Sequence, residues 1–334
     1  MELTATLVKA KTKEFGADLV GIAAGSVLDA HPPDPRHPQT PSRITRRDGK
    51  SVIVLAKHSL AGTARLKDWN ERHKHYAAEL TLSQLEEASL KLVYFLEDEA
   101  GYPALIVPPM HTDATRNYRA YMEGGTYGAL SLVHAAVEAG LGTLGLNLML
   151  LTPEYGPRVI LTAVLTSAEL EPDTRIPTPL CLGEECGRCL LACPGDAILH
   201  WGLDKKKCAP YASPYGFAHV VKHVSNVLGA DTVDEKIALL RSGDSFNLWQ
   251  TMLRGVGAYT GCTRCVDVCP VGQDYVRHLQ DVQEDIPETT PEKAARLAEM
   301  KRLRAAGEKV EGLERSRRWI GEDEEKTRNA EWKT

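Results

Sequence analysis

Apolar and polar residues alternate along the first half of the chain in blocks that predict strands and helices. Mainly apolar runs predict four strands, at 17–24, 51–56, 104–107 and 159–166. Apolar residues at helical spacing predict three helices, at 4–14, 70–100 and 130–139. The run at 51–56 is apolar throughout, which is typical of a parallel strand. This succession indicates a fold of the α/β (α+β) class, in which helices cover a sheet.

The second half of the chain has a mainly helical pattern. Helical periodicity recurs in three stretches, around 216–228, 232–241 and 246–254. These stretches predict a folded helical insert at 209–261. Farther on, a charged helical tail is predicted at 281–334, packed on the body or on a partner. Its one apolar stripe consists of Ala294, Leu297, Met300 and Leu303.

Composition narrows the classes of function. Hydrophobic residues make up 43% of the 334 residues, which is normal for a globular core. The net charge of −5 and the pI of about 6.1 argue against a surface built to bind nucleic acid. No apolar run is long enough to span a membrane, and the amino terminus does not have the pattern of a secretory signal. We therefore expect a cytoplasmic protein with no membrane partner and no nucleic-acid partner.

All eight cysteines fall in a pattern that is typical of two-cluster ferredoxins. The runs are Cys181-x4-Cys186-x2-Cys189-x3-Cys193-Pro194 and Cys262-x2-Cys265-x3-Cys269-Pro270, with Cys208 between them. Eight thiolates suffice for two [4Fe–4S] clusters, and the cysteine before proline crosses to the other cluster. We predict that one cluster is held by Cys181, Cys186, Cys189 and Cys269. The other is predicted to be held by Cys193, Cys208, Cys262 and Cys265.

Two other uses of the cysteines are open at this point. Disulfides belong to oxidising compartments and small cores, and four-cysteine zinc sites also use Cys-x2-Cys pairs. A zinc site needs neither the third cysteine nor the proline after it, so iron–sulfur clusters are favoured. Gly183 stands where the usual first cysteine would fall, so the loop must bulge to deliver Cys181.

A glycine-rich segment matches the dinucleotide-binding pattern G-x-G-x-x-G. It reads Gly140-Leu-Gly142-Thr-Leu-Gly145, but a predicted helix precedes it where that pattern requires a strand. A Rossmann site is therefore disfavoured. The glycines still predict a sharp turn and a close approach of the backbone to another group.

The order of these motifs resembles a known enzyme family. The segment 139–166, AGLGTLGLNLMLLTPEYGPRVILTAVLT, is followed by the cysteine runs and by LDKKKCAPY at 203–211. Over roughly residues 50–275 the chain resembles cobalamin-dependent epoxyqueuosine reductases and reductive dehalogenases. The resemblance implies a nitroreductase-like domain at 1–176 that holds cobalamin in its base-off form. It also implies a ferredoxin-like domain at 177–280 that supplies electrons, themselves received from a low-potential donor such as ferredoxin or flavodoxin.

The chain departs from each branch of this family. The catalytic Asp of epoxyqueuosine reductases would fall at Thr126, beside Tyr127, and their carboxy-terminal helical repeats are missing. Reductive dehalogenases use a tyrosine as proton donor, which makes Tyr127, with Tyr121 in reserve, the predicted catalytic acid. The twin-arginine export signal of the respiratory dehalogenases is absent. The resemblance therefore implies a relative that reduces a small organic substrate of unassigned identity.

The resemblance also implies how such a site works. Two clusters in series suit one-electron steps that reduce cobalt from Co(II) to Co(I), while a nearby cation, Arg158 or Arg116, lowers the pKa of the tyrosine. The predicted cobalamin contacts are Gly140, Gly142, Gly145, Asn147, Tyr155 and Gly156. Three alternatives are retained: an iron–sulfur electron-transfer protein, a flavin-dependent reductase, and an activator that reduces the corrinoid of another protein.

Overall fold

The structure is a computed structural model that describes residues 2–109, 127–258 and 260–322. A four-stranded sheet lies at its centre, formed by β1 (Leu19–Ala24), β2 (Ser51–His58), β3 (Ala104–Val107) and β6 (Val159–Thr166). The strands follow one another in the order β1–β2–β6–β3. Two short pairs accompany it, namely β4 (Thr143–Leu144) with β5 (Leu150–Leu151), and β7 (Ile198–Leu199) with β8 (Gly202–Leu203).

Every pairing within the central sheet is antiparallel. Ser51 of β2 lies opposite Thr166 of β6, and Ala104 of β3 lies opposite the same residue. The predicted strands are present, and the mixed helix–sheet class is confirmed. The prediction that 51–56 runs parallel to its neighbours is wrong. An unbroken apolar run reports burial on both faces of a sheet, and helices can cover both faces of an antiparallel sheet too.

Fifteen α-helices are present in the described residues. In the first half they are α1 (Ala5–Glu14), α2 (Gly25–Ala30), α3 (Ala61–Ala64), α4 (Arg72–Tyr94) and α5 (Leu132–Glu138). The cysteine-rich part and the insert hold α6 (Arg188–Ala192), α7 (Lys205–Ala212), α8 (Phe217–Gly229), α9 (Val233–Leu240), α10 (Gly243–Arg254) and α11 (Arg264–Asp267). The last four are α12 (Gln273–His278), α13 (Gln280–Gln283), α14 (Pro291–Ala305) and α15 (Glu311–Ile320).

Local sequence signals set several of these boundaries. The Thr4 hydroxyl caps α1 by accepting from the backbone N–H of Leu7. Gly140, with φ of +72°, follows α5 in the left-handed conformation that favours glycine, as predicted. A single π-helical turn, Phe95–Glu99, extends α4 close to the predicted end at residue 100.

The sheet is covered on both faces. On one face, Ile53 and Leu55 pack with Val8 of α1 and Leu85 of α4. On the other face, Val54 shares a core with side chains of α5, of the β4–β5 pair and of the cysteine-rich segment, among them Leu190. The cysteine-rich segment and the sheet are therefore built on one continuous hydrophobic core.

The carboxy-terminal helices pack on this core. Leu297 and Met300 of the predicted stripe are buried, whereas Ala294 is exposed. On α15, the Trp319 indole N–H donates to the buried carboxylate of Glu138, at the end of α5. Among the described residues, none of the helices combines the length and the apolar character that crossing a membrane would require.

Candidate functional site

The structure brings the cysteines together in two groups. The first group lines one pocket, and it consists of Cys181, Cys186, Cys189 and Cys269. In the second group, burial and then the neighbouring thiols of Cys262, Cys193 and Cys208 raise the pKa of Cys265. All eight are free cysteines. The groups coincide with the two crossed ligand sets, and the ligand assignment itself stays a prediction.

Backbone N–H groups point at the sulfur atoms of both groups. The N–H groups of Leu146 and Gly183 donate to Cys181 Sγ at 3.4 and 3.3 Å. In the second group, the N–H of Ala197 donates to Cys193 Sγ at 3.2 Å. Gly183 adopts φ of +57°, so the loop bulges at the glycine that replaces the usual first cysteine. Hydrogen bonds of this kind tune the reduction potential of an iron–sulfur cluster.

Burial favours the neutral thiol at four of the cysteines. Burial raises the pKa of Cys189 and of Cys265 well above the ordinary value, and it raises those of Cys262 and Cys269 to about 12. Iron bound among them would deprotonate the thiols. Within the described ranges, no three His, Cys, Asp or Glu side chains meet closely enough to hold a single metal ion. A cubane cluster is larger than one ion and takes one thiolate at each of its four iron atoms, so it calls for four thiols spread around a pocket.

Arg158 holds the second cysteine run against the sheet. Its side chain is 2% exposed, and all five of its N–H groups are used. Nε and Nη2 donate to the Asp274 carboxylate at 2.6 and 2.8 Å. The remaining donors go to the carbonyls of Val266, Cys269 and Val271. This geometry leaves no N–H for a tyrosine or a substrate, so it does not support the predicted catalytic role.

Two lysines support the cysteine segments in the same way. Lys74 of α4 is buried in an ion pair with Asp267, two residues beyond Cys265. Lys293 of α14 donates to the carbonyls of Leu191 and Cys193 at 3.0 and 2.8 Å. Neither contact could be predicted from the sequence, because the partners lie about 100 residues or more apart.

The glycines predicted to touch cobalamin lie against the chain itself. A Cβ on Gly142 would come within 1.9 Å of the Leu151 carbonyl, and one on Gly140 within 2.5 Å of the Thr174 carbonyl. One on Gly156, where φ is +52°, would meet the Val271 carbonyl at 1.9 Å. The close approach predicted from these glycines is therefore an approach of backbone to backbone.

The other predicted contacts are also engaged within the chain. A Cβ on Gly145 would meet the Asn147 side chain, whose Nδ2 donates to the carbonyl of Cys265 at 3.2 Å. The Tyr155 ring stacks on His58 at 4.9 Å. Burial and nearby carboxylates raise the pKa of Tyr155. The six residues thus do not form an open cradle for a corrin ring, and their assignment as cofactor contacts stays a prediction.

Tyr127 lies among cationic and imidazole groups. Its ring stacks on His37 at 4.2 Å, and the Lys205 ammonium lies 4.3 Å from the ring centre. Burial lowers the pKa of Lys205. Lys205 opens α7, one turn before Cys208, so Tyr127 lies beside the helix that delivers a cysteine of the second group. Tyr121 and Arg116 lie outside the described residues.

Lys205 and His37 are neighbours of Tyr127 that were not predicted from the sequence. Lys205 belongs to the segment LDKKKCAPY, in which only the cysteine was given a role. His37 lies in a Pro-rich loop far from the other motifs. Only Lys205 had a sequence signal, because three successive lysines before a lone cysteine place positive charge at a cluster.

Comparison with known proteins identifies relatives of the chain. Epoxyqueuosine reductase of Listeria monocytogenes is 30% identical over 162 residues, which are 48% of this chain and 35% of that protein. Tetrachloroethene reductive dehalogenase of Sulfurospirillum multivorans is 37% identical over 97 residues, 23% of this chain and 19% of that protein. The matched region thus spans about a third or less of these relatives. No family model matches the chain.

A solved structure shares the fold. A catabolic reductive dehalogenase in complex with 3-bromo-4-hydroxybenzoic acid aligns with a TM-score of 0.50 and 16% identity, over 94% of this chain and 37% of that one. Homologues of the chain are thus named epoxyqueuosine reductase and reductive dehalogenase, which confirms the resemblance predicted from its glycine loop and cysteine runs.

Proposed function

We propose that the chain is an iron–sulfur reductase that delivers electrons to a small organic substrate bound beside Tyr127. The observation that carries the proposal is the position of α7. This helix presents Cys208 to the second cysteine group and Lys205 to the Tyr127 ring. Electrons and a proton would therefore reach neighbouring points of the molecule.

Two [4Fe–4S] clusters are the proposed electron carriers, and each would supply one electron at a time. The two thiol groups and their N–H donors fit such clusters. The chain's own residues shield the sulfur atoms from water, since Cys193 is buried and the other seven cysteines are partly buried. A low-potential donor such as ferredoxin or flavodoxin is the proposed source of electrons.

Cobalamin, base-off and reduced to Co(I), is proposed as the last electron carrier before the substrate, on the strength of the relatives alone. The six predicted contact residues do not fit it, because their open faces are filled by the chain's own atoms. If cobalamin binds, other residues hold it. We therefore derive no step of the reaction through cobalt.

The proton is proposed to come from the phenol of Tyr127. A general acid contributes roughly 10²–10⁴-fold to a rate, so Tyr127→Phe should lower turnover of a halogenated phenol by about that factor. Iron and sulfide contents should not change. Tyr94→Phe, on the exposed side of α4, is the matched control. Parental activity in Tyr127→Phe would remove this tyrosine from the mechanism and leave the cluster proposal standing.

Epoxyqueuosine reduction is the second candidate, because it is the activity named for the 30%-identical relative. A tRNA carrying epoxyqueuosine would then be the substrate, in contrast to the expectation drawn from net charge. Anaerobic assays with this tRNA and with halogenated phenols, at matched enzyme and donor concentrations, separate the two candidates. Turnover of the tRNA alone would overturn the small-molecule proposal.

The cofactors are tested on protein purified anaerobically after growth with cobalamin. The proposal expects about eight iron and eight sulfide per chain, together with a visible spectrum of cobalamin. Two zinc ions without iron would refute the clusters. Clusters with a flavin spectrum would favour a flavin-dependent reductase, and clusters without an organic cofactor would favour an electron-transfer protein. Turnover only with a second corrinoid protein would identify an activator.

A further inference from the structure

The insert turns its apolar side chains outward. It holds twelve of the twenty-two exposed large apolar or aromatic side chains of the described residues, within 53 residues of sequence. On α8 the exposed stripe consists of Val220, Val221, Val224 and Leu228, which recur at helical spacing. Leu228 is 75% exposed. A helix of a lone globular protein normally directs such a stripe to the core.

The other two helices of the insert are oriented in the same way. On α9 the exposed apolar residues are Val233, Ile237 and Leu240. On α10 they include Phe246, Trp249 and Met252, with Trp249 52% and Met252 78% exposed. The Phe246 and Trp249 rings lie 5.6 Å apart and form one aromatic patch.

Polar contacts fix this orientation. On the inner side of α8, His223 is buried and its Nε2 lies 2.8 Å from the Ser245 hydroxyl of α10. The insert is held to α4 by Arg72, which donates to Asn247 at 2.8 Å, and by the ion pair of Arg254 with Glu79. The helices cannot rotate their stripes inward without breaking these contacts.

The net charge of the insert indicates whether a membrane or a protein covers the three exposed stripes. Residues 213–258 contain four basic side chains, Lys222, Lys236, Arg241 and Arg254. They contain four acidic side chains as well, Asp231, Asp234, Glu235 and Asp244. The net charge is therefore zero, whereas helices that lie on membranes are rich in Lys and Arg on the polar face. Aromatic residues and Met at the centre of a neutral patch are typical of a protein interface.

We propose that the three stripes form a dimer interface with the insert of a second copy of this chain. The ten side chains named on the three stripes, each about half exposed and each offering roughly 150–200 Å², present roughly 900 Å² of apolar surface. A stable interface needs about 800 Å² from each partner. A two-fold axis lets one such patch pack on its own copy, which is the commonest symmetry of oligomers.

The test uses the full chain with its clusters intact, in anaerobic sedimentation velocity from about 1 to 100 µM. The parent should sediment at twice the chain mass of 36.6 kDa. Trp249→Glu with Met252→Glu places two charges in the interface and should weaken the dimer by about 100-fold or more. Tyr94→Glu, 56% exposed on α4, is the matched control and should stay dimeric. Unchanged iron per chain shows that each variant is folded.

Leu228→Glu, on α8, provides a second variant if the double substitution loses iron. It should weaken the dimer while leaving the iron content unchanged. A parent that stays at the mass of one chain at 100 µM would overturn the proposal, as would a dimer that survives both α8 and α10 substitutions. Monomers that float with phosphatidylcholine vesicles would instead assign the stripes to a membrane surface. None of these outcomes depends on the substrate proposed above.

Discussion

Replacing Arg158 tests whether this residue is structural or catalytic. Arg158→Ala removes two charge-assisted hydrogen bonds to Asp274 and leaves three carbonyls, one buried and two partly buried, without their donor. Breaking a buried ion pair costs about 3–5 kcal/mol, and each orphaned carbonyl adds to that cost. We therefore expect a loss of about 5 kcal/mol. At roughly 2 °C per kcal/mol for a chain of this size, the apparent Tm should fall by about 10 °C.

The assay combines thermal melting followed by circular dichroism with iron and sulfide analysis of the same samples. Because one of the lost bonds goes to the Cys269 carbonyl, iron should leave the first cluster first. Arg158→Lys keeps the charge but offers three donors instead of five, so its Tm should lie between those of the parent and Arg158→Ala. Arg65→Ala breaks an exposed pair with Asp281 and should leave the Tm almost unchanged.

One result would refute this reasoning. If Arg158→Ala melts within about 2 °C of the parent, keeps both clusters and yet loses turnover, the arginine acts in catalysis as first predicted from the sequence. A lower Tm and a lower iron content, with normal turnover for each enzyme molecule that keeps its clusters, support the structural role.

The remaining predictions concern the clusters, Tyr127 and pH. Cys269→Ser should remove the cluster of the first run and spare that of the second run, as resolved by Mössbauer spectroscopy; loss of only the second cluster would contradict the crossing. Lys205→Met removes the cation over the Tyr127 ring and should lower kcat more than it raises KM, whereas equal stability and kinetics would exclude Lys205 from the site. Burial lowers the pKa of His75 and His134 from 6.5 to about 4. As the pH falls, these two side chains are therefore protonated in the unfolded chain before they are protonated in the folded chain. Their contribution to the free energy of unfolding is thus complete above about pH 6.5 and is lost as the pH falls to 4. In urea titrations, the free energy of unfolding of His75→Gln should therefore decline less steeply between pH 6.5 and pH 4 than that of the parent. An identical decline would show that His75 does not contribute to this pH dependence.

Much of the fold follows from local sequence. The strand at 104–107 and that at 159–166 have the predicted boundaries, because apolar runs bounded by Pro, Gly and polar residues report burial directly. The antiparallel direction of β2 relative to its neighbours did not follow from local sequence. Val52 and Val54 face one core while Ile53 and Leu55 face the other, and such two-sided burial looks the same in parallel and antiparallel sheets.

The candidate site was predictable where spacing carries the chemistry. Each of the two groups of cysteines in the structure contains the four cysteines that the crossed ferredoxin pattern assigns to one cluster. The role of Arg158 was not predictable, since Asp274 lies 116 residues away and nothing local marks either residue as a partner. The helices of the insert were predicted, but periodicity identifies an apolar stripe without telling which way it faces.

The three buried cations bear on how the protein is assembled. Arg158 directly precedes β6, Lys74 lies on α4 and Lys293 on α14, and each holds a peptide segment of the cysteine runs. During synthesis, the loop that carries Cys193 therefore lacks its lysine until residue 293 has left the ribosome. Iron–sulfur insertion should accordingly be a late event in the maturation of the chain. For the same reason, the cysteine-rich segment is not a portable module, because grafting it onto another protein would leave these three cations behind.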